Sequence, residues 1–232
     1  MQRIEIEDRA GTGQRAQVEA AIAAAMGKLD AAGAGLRRPL RVVLERLLIP
    51  GFLETQNDRH VLHLQADAAR APWLPGLALR ELAHAALADL GHPSHDPALL
   101  QAGFAAARDR SRDVRFLSVV GTLNHHVRDV YADDLAARAD ADAVQSFLEH
   151  LARGAAAMGP GPHRAVTAGY AAATLLRRGG LAPEPLRLLL GQDVTARGLA
   201  DQLAALPPDP EPADLEDALR KLVARLPAEA AP

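Results

Sequence analysis

The chain of 232 residues has no cysteine, which excludes disulfide bonds and thiolate metal sites. Any metal ion would therefore have to be held by histidine and carboxylate side chains. Aromatic residues make up only 3% of the sequence, so the hydrophobic core must be built mainly from Leu, Ala and Val. Lysine occurs only at Lys28 and Lys221, and arginine carries the remaining positive charge. This bias is typical of a GC-rich coding sequence.

The sequence also lacks a strong excess of charge of either sign. Its formal net charge is −3, its pI is about 6.3, and acidic and basic residues alternate without a basic stripe. We therefore do not expect nucleic acid as a partner. No apolar run approaches the roughly 18 residues of a membrane helix, and residues 1–5 include two charged side chains and lack the apolar core of a signal peptide. These features predict a cytoplasmic protein that acts without a membrane.

The pattern of apolar residues predicts a small N-terminal sheet followed by helices. Alternating residues predict strands at residues 3–8 and His60–Gln65, and a run of branched apolar residues predicts another at residues 39–49, followed by a polar loop. A helix is expected at residues 14–32, between the strands at residues 3–8 and 39–49, and a further helix at residues 77–90. From residue 97 onward the pattern predicts helices only. The predicted fold class is therefore α+β.

The centre of the helix predicted at residues 77–90 reads Arg80-Glu81-Leu82-Ala83-His84. On a helix, Arg80 and His84 share a face because they are four positions apart, and Glu81 lies about 100° from Arg80. The zinc peptidase motif H-E-x-x-H has this geometry: two histidines hold zinc, and the glutamate takes a proton from the metal-bound water. Here Arg80 stands at the position of the first histidine. Its guanidinium group has no lone pair to donate, so it cannot be a zinc ligand.

The order of elements and the E-x-x-H remnant resemble the gluzincin group of the zincin-type metallopeptidases. The resemblance implies a zincin-like α/β domain over residues 1–140, with a helical C-terminal extension over residues 141–232 packed on it. It also implies that the strand before the motif helix, His60–Gln65, is an edge strand. An extended substrate would add to the hydrogen-bond ladder of that strand.

The resemblance also implies a second group of site residues on the helix predicted at Val114–Ala139. A gluzincin takes its third zinc ligand, a glutamate, from a later helix, and an aspartate four residues further on hydrogen-bonds a ligand histidine. The matching positions hold Asp129 and Asp133. Helical spacing places His126, Asp129 and Asp133 in one polar stripe beside an apolar face. A register shifted by one residue would put Arg128 at the ligand position, so the register stays open.

The leading hypothesis is a metallopeptidase-like domain with an incomplete metal site and no cofactor, which acts by binding a peptide or protein partner. Arg80 would pair with Asp129 or Asp133 where a metal would otherwise lie, with His84 and His126 beside them. Such a pair compensates buried carboxylates. It also repels a cation, since two unit charges about 4 Å apart cost roughly 4 kcal/mol at an effective dielectric of about 20.

A second hypothesis is an active zinc-dependent peptidase with rearranged ligands. Glu81 would be its general base, and Arg80 would polarise a substrate carbonyl group. His84, Asp129 and His125 would hold the metal. Other histidines are alternatives for the third ligand: His92, His95 and His126.

A third hypothesis is a helical structural or assembly protein in which the motif is accidental, and oligomer formation is possible. A large distance between Arg80 and both Asp129 and Asp133 would favour this hypothesis. No G-x-G-x-x-G, P-loop or G-x-S-x-G motif is present, so the sequence gives no sign of a nucleotide cofactor or a serine hydrolase.

Overall fold

The computed structural model describes residues 4–179 and 184–227, so residue 3 of the first predicted strand lies outside the described residues. The fold is α+β, with a small sheet in the N-terminal part and a helical C-terminal half. The strands are β1 Glu5–Asp8, β2 Leu40–Glu45, β3 Gly51–Thr55 and β4 His60–Gln65. The helices are α1 Arg15–Ala31, α2 Leu74–Leu90, α3 Pro97–Arg108, α4 Val114–Ala139, α5 Ala141–Ala157, α6 Pro162–Arg177, α7 Glu184–Gln192, α8 Val194–Ala204 and α9 Pro212–Arg225.

The sheet has the strand order β1-β2-β4-β3. β1 pairs with β2 and β2 pairs with β4 in parallel, whereas β3 pairs with β4 in the antiparallel direction. β3 was not predicted as a strand: the pattern ended the preceding strand at residue 49 and placed a polar loop before β4. Residues 51–55 form a short strand by pairing with β4 in a hairpin.

This topology corrects the prediction that His60–Gln65 is an edge strand. β4 has a paired strand on each side, β2 and β3, so its backbone cannot accept a further strand. The edge next to β4 is β3.

Contacts within the chain divide it into two compact units. The first comprises Met1–His92 and Ala132–Phe147, and the second comprises Pro93–Tyr131 and Leu148–Pro232. This division does not coincide with the predicted boundary between residues 140 and 141, because α4 and α5 each contribute residues to both units.

In the first unit, α2 is buried on almost every side. Its buried residues are Leu74 and all residues from Gly76 to Leu87, which is the pattern of a helix enclosed in a core. The absence of a side chain at Gly76 allows α5 to approach closely, since a Cβ atom there would collide with the carbonyl oxygen of Ala143. The motif residues therefore lie on a central helix of this unit.

In the second unit, the predicted apolar face of α4 is buried. Its residues are Phe116, Val120, Leu123, Val127 and Val130. Gly169 of α6 lies against α8, and a Cβ atom there would come within 2.9 Å of the Ala196 carbonyl oxygen. Among the helices described, none combines the length and the apolar character that a membrane crossing requires.

Candidate functional site

The motif places three ionisable side chains inside the first unit. Arg80, Glu81 and His84 are all buried on α2. Only 11% of the Arg80 side chain and 4% of the Glu81 side chain are exposed to solvent. Charged groups at this depth need partners of opposite charge, because the free energy of burying an isolated ion is several kcal/mol or more.

Arg80 has two carboxylate partners in this unit. Its Nη1 atom donates a hydrogen bond to Oε1 of Glu81 at 2.8 Å. Its Nε atom lies 3.2 Å from Oδ1 of Asp133, whose side chain is only 1% exposed. One guanidinium group therefore contacts two buried carboxylates, one from its own helix and one from α4.

An aromatic side chain completes the surroundings of Arg80. The guanidinium carbon lies 5.6 Å from the centre of the Phe147 ring, a cation–π distance. The ring of Trp73 packs against Phe147 at a centroid distance of 6.0 Å. Neither aromatic residue was predicted from the sequence. Phe147 is far from Arg80 in the sequence, so spacing along one helix gave no signal of this contact.

The other predicted residues of α4 have different partners in the second unit. Nδ1 of His126 lies 2.8 Å from Oδ2 of Asp129. The His126 ring also stacks on the Tyr170 ring, with a centroid distance of 4.2 Å and an angle of 8° between the rings. His125 is exposed to solvent. The structure therefore brings Asp133 together with Arg80, and it brings Asp129 together with His126.

The alternative hypothesis required a group of metal ligands. Within residues 4–179 and 184–227, no cluster of three or more His, Asp or Glu side chains is arranged to hold a metal ion. The set of His84, Asp129 and His125 is therefore not such a cluster. Glu81, the general base of that hypothesis, accepts the hydrogen bond from Arg80.

A second buried polar cluster, which was not predicted from the sequence, lies at the C-terminal end of α2. Oδ1 of Asp89 lies 3.1 Å from His60 Nε2 and 3.1 Å from Arg38 Nε. Oδ2 accepts hydrogen bonds from the backbone N–H groups of Arg37 and Arg38 at 2.7 and 3.2 Å. The hydroxyl group of Thr55 lies 3.1 Å from His60 Nδ1. A carboxylate in the last turn of a helix opposes the helix dipole, and this could have signalled the need for such partners.

The ionisation of this cluster follows from its contacts. Burial alone would raise the pKa of Asp89, but hydrogen bonds from the Arg37 backbone, His60 and the Arg38 backbone outweigh it, so the pKa is lowered. Burial lowers the pKa of His60, although the Asp89 carboxylate opposes this shift. These contacts fit a neutral imidazole that carries its proton on Nε2, facing the Asp89 carboxylate, and accepts from the Thr55 hydroxyl group at Nδ1. The cluster thus attaches the end of the motif helix to the sheet.

The edge strand β3 has unpaired backbone groups on its outer side. Gln56 N–H donates to Arg59 O, and Gln65 N–H donates to Pro50 O, which identifies the hydrogen-bonded pairs of the β3–β4 hairpin. Because such pairs alternate along an antiparallel ladder, the backbone N–H and C=O groups of Leu53 point away from β4. An extended peptide could add to this edge.

A family model described as "Family of unknown function (DUF5781)" matches residues 51–175, more than half of the chain. The chain belongs to the DUF5781 family. The match begins at the first residue of β3 and includes β4, the motif helix and the whole of α4 and α5. No curated protein and no solved structure matches the chain.

Proposed function

We propose that the first unit is a zincin-like domain that works without a metal and binds an extended peptide or protein segment. The observation that carries this proposal concerns Arg80, which directly precedes the E-x-x-H remnant. Arg80 is ion-paired to Glu81 and Asp133. A cytoplasmic location is part of the proposal.

The charge of the buried cluster supports this proposal first. Two buried carboxylates need a nearby cation, and in a zinc peptidase a divalent metal supplies it. Here the guanidinium group lies within 3.2 Å of both carboxylates and supplies one positive charge permanently. The same contact engages Oε1 of Glu81, the residue that would be the general base of an active peptidase, in an ion pair.

The open edge of the sheet supports this proposal second. β3 pairs with β4 on one side and is open on the other, and the motif helix follows β4 along the chain. Two apolar side chains near this edge are exposed, Ile49 to 50% and Phe52 to 39%. A peptide that adds to β3 would gain backbone hydrogen bonds at Leu53 and apolar contacts with these side chains.

The charge argument is tested by Arg80→His, which restores the zinc-binding motif. This change removes the cation and adds an imidazole one turn before His84, so zinc should stabilise the variant by about 2.7 kcal/mol at a hundredfold excess over its Kd. Thermal unfolding with and without zinc, with chelator as a reference, measures this effect.

Two matched variants separate zinc binding at the site from nonspecific effects. Arg80→Gln removes the same charge without adding a ligand, and Arg80→His combined with His84→Ala removes the second imidazole. Neither should be stabilised by zinc. If Arg80→His gains no more zinc-dependent stability than Arg80→Gln, the inherited site and the proposed function built on it are wrong.

The binding argument is tested at β3. Leu53→Pro removes an outward N–H group without removing a hydrogen bond to β4. In selection from a random peptide library, the wild-type protein should enrich extended sequences, and Leu53→Pro should lose them. Leu53→Val keeps the N–H group and should retain binding. Equal enrichment by Leu53→Pro and Leu53→Val would exclude binding at this edge.

A further inference from the structure

The second unit contains a cavity that the proposed function does not use. It has a volume of about 430 Å³, within the range of roughly 300–1,000 Å³ that is typical of small-molecule sites. It is lined by the first turns of α4 and α6 and by Pro227, which lies just after α9. The lining residues include Arg115, Phe116, Ser118, Val119, His163 and Pro227.

Contacts of Arg110 hold two apolar walls of this cavity together. Arg110 donates hydrogen bonds to the carbonyl oxygens of Val223 and Leu226, at the C-terminal end of α9. Its guanidinium carbon lies 5.6 Å from the centre of the Phe116 ring. Arg110 thereby attaches the chain just before Pro227 to the wall formed by Phe116, which is only 3% exposed. The fold of the second unit therefore fixes the positions of these cavity walls.

The polar groups around the cavity favour a negatively charged ligand. Among the described residues that line it, none is acidic, whereas Arg115 carries a guanidinium group and His163 an imidazole. Nδ1 of His163 is held 3.2 Å from the Thr122 hydroxyl group. α6 begins after Gly161, which has no side chain to cap the first N–H groups of the helix. These N–H groups add positive potential on the same side as His163.

We propose that this cavity binds a small apolar monocarboxylate, with its hydrocarbon part against Phe116 and Val119 and its carboxylate beside Arg115 and His163. Apolar walls favour a hydrocarbon chain. A guanidinium group and a carboxylate match in charge and in planar geometry. A single charged head group suits a cavity whose remaining lining is mostly apolar.

Titration of the full-length protein with sodium octanoate at neutral pH, followed by isothermal calorimetry, tests the proposal. Octanoate should bind with a Kd of about 1 mM or tighter. Octanol, which has the same chain without the charge, should bind about tenfold more weakly, since it lacks the charge-assisted hydrogen bonds.

Variants at exposed positions locate the site without disturbing the core. Arg115→Gln should weaken octanoate binding about tenfold. Arg112→Gln removes a nearby exposed charge outside the lining and should change the affinity by less than about twofold. Ser118→Phe places a ring in the cavity and should abolish binding, with an unchanged circular dichroism spectrum. Absence of octanoate binding, equal affinity for octanol, or equal effects of Arg115→Gln and Arg112→Gln would each overturn the proposal.

Discussion

Replacing Arg80 by methionine is the most direct perturbation of the buried charge cluster. Methionine keeps an unbranched side chain of similar length, so the change mainly removes the positive charge. Glu81 and Asp133 then remain buried, with 4% and 1% of their side chains exposed, beside a neutral group.

The expected loss of stability follows from these contacts. Removing one partner of a buried ion pair costs about 3–5 kcal/mol, because the remaining charge stays buried. Loss of the cation–π contact with Phe147 adds about 0.5–2 kcal/mol. The free energy of unfolding of Arg80→Met should therefore be lower by about 3.5–7 kcal/mol. Asp133→Asn should reduce it too, and the double variant should lose at least about 1 kcal/mol less than the sum of the single losses.

Urea unfolding followed by tryptophan fluorescence measures these losses in the correct unit. Trp73 is the only tryptophan of the chain, and it packs on Phe147 in the same unit as Arg80. Arg59→Met is the matched control, because Arg59 and its partner Asp58 form an ion pair in this unit with side chains 43% and 66% exposed. Such a pair contributes at most about 1 kcal/mol.

Two results would refute the reasoning. One is a loss below about 1 kcal/mol for Arg80→Met, similar to that of Arg59→Met. The other is strict additivity in the double variant, which would mean that Arg80 and Asp133 do not stabilise each other. Either result would remove the argument that an arginine supplies the charge of a metal at this site.

Three further changes test other parts of the first unit. Because the folded pKa of His60 lies below its ordinary value of about 6.5, the unfolded chain binds an additional proton under acidic conditions. The stability that neutral His60 and Asp89 provide should be complete above about pH 6.5 and decrease as the pH falls. His60→Gln should flatten this part of the dependence of unfolding free energy on pH, measured by urea unfolding. An unchanged pH dependence would contradict the role assigned to His60. Gly76→Ala should lower the melting temperature, since its Cβ would collide with Ala143, at a cost of about 1–3 kcal/mol. Gly27→Ala, which meets no atom within 4 Å on α1, should instead stabilise the protein by about 0.5–1 kcal/mol, and the same sign for both glycine variants would be inconsistent with the packing.

The secondary structure was predictable where local signals were strong. The motif helix was expected at residues 77–90 and begins at Leu74, because Pro75 is compatible with the first turn of a helix and does not delay its start. β4 was predicted with its observed bounds. β3 was missed because its conformation depends on pairing with β4, and for the same reason the wrong strand was assigned to the edge of the sheet.

The candidate site was predictable only in part. Helical spacing was sufficient to place Arg80, Glu81 and His84 near one another, since they belong to a single turn. Spacing along α4 left Asp129 and Asp133 equally suitable as partners of Arg80. The structure places Asp133 at 3.2 Å from Arg80 and pairs Asp129 with His126.

The amino-acid sequence by itself determined which chemical groups are available: no thiolate ligand, and an arginine that cannot bind zinc at a motif position on a helix. These properties depend on residue type and on neighbours within one helical turn. Only the tertiary structure decided which carboxylate pairs with Arg80, that Phe147 covers it, and that β3 is the open edge. Such choices depend on the packing of segments far apart in the chain, and the energies of that packing are not encoded in any short stretch of residues.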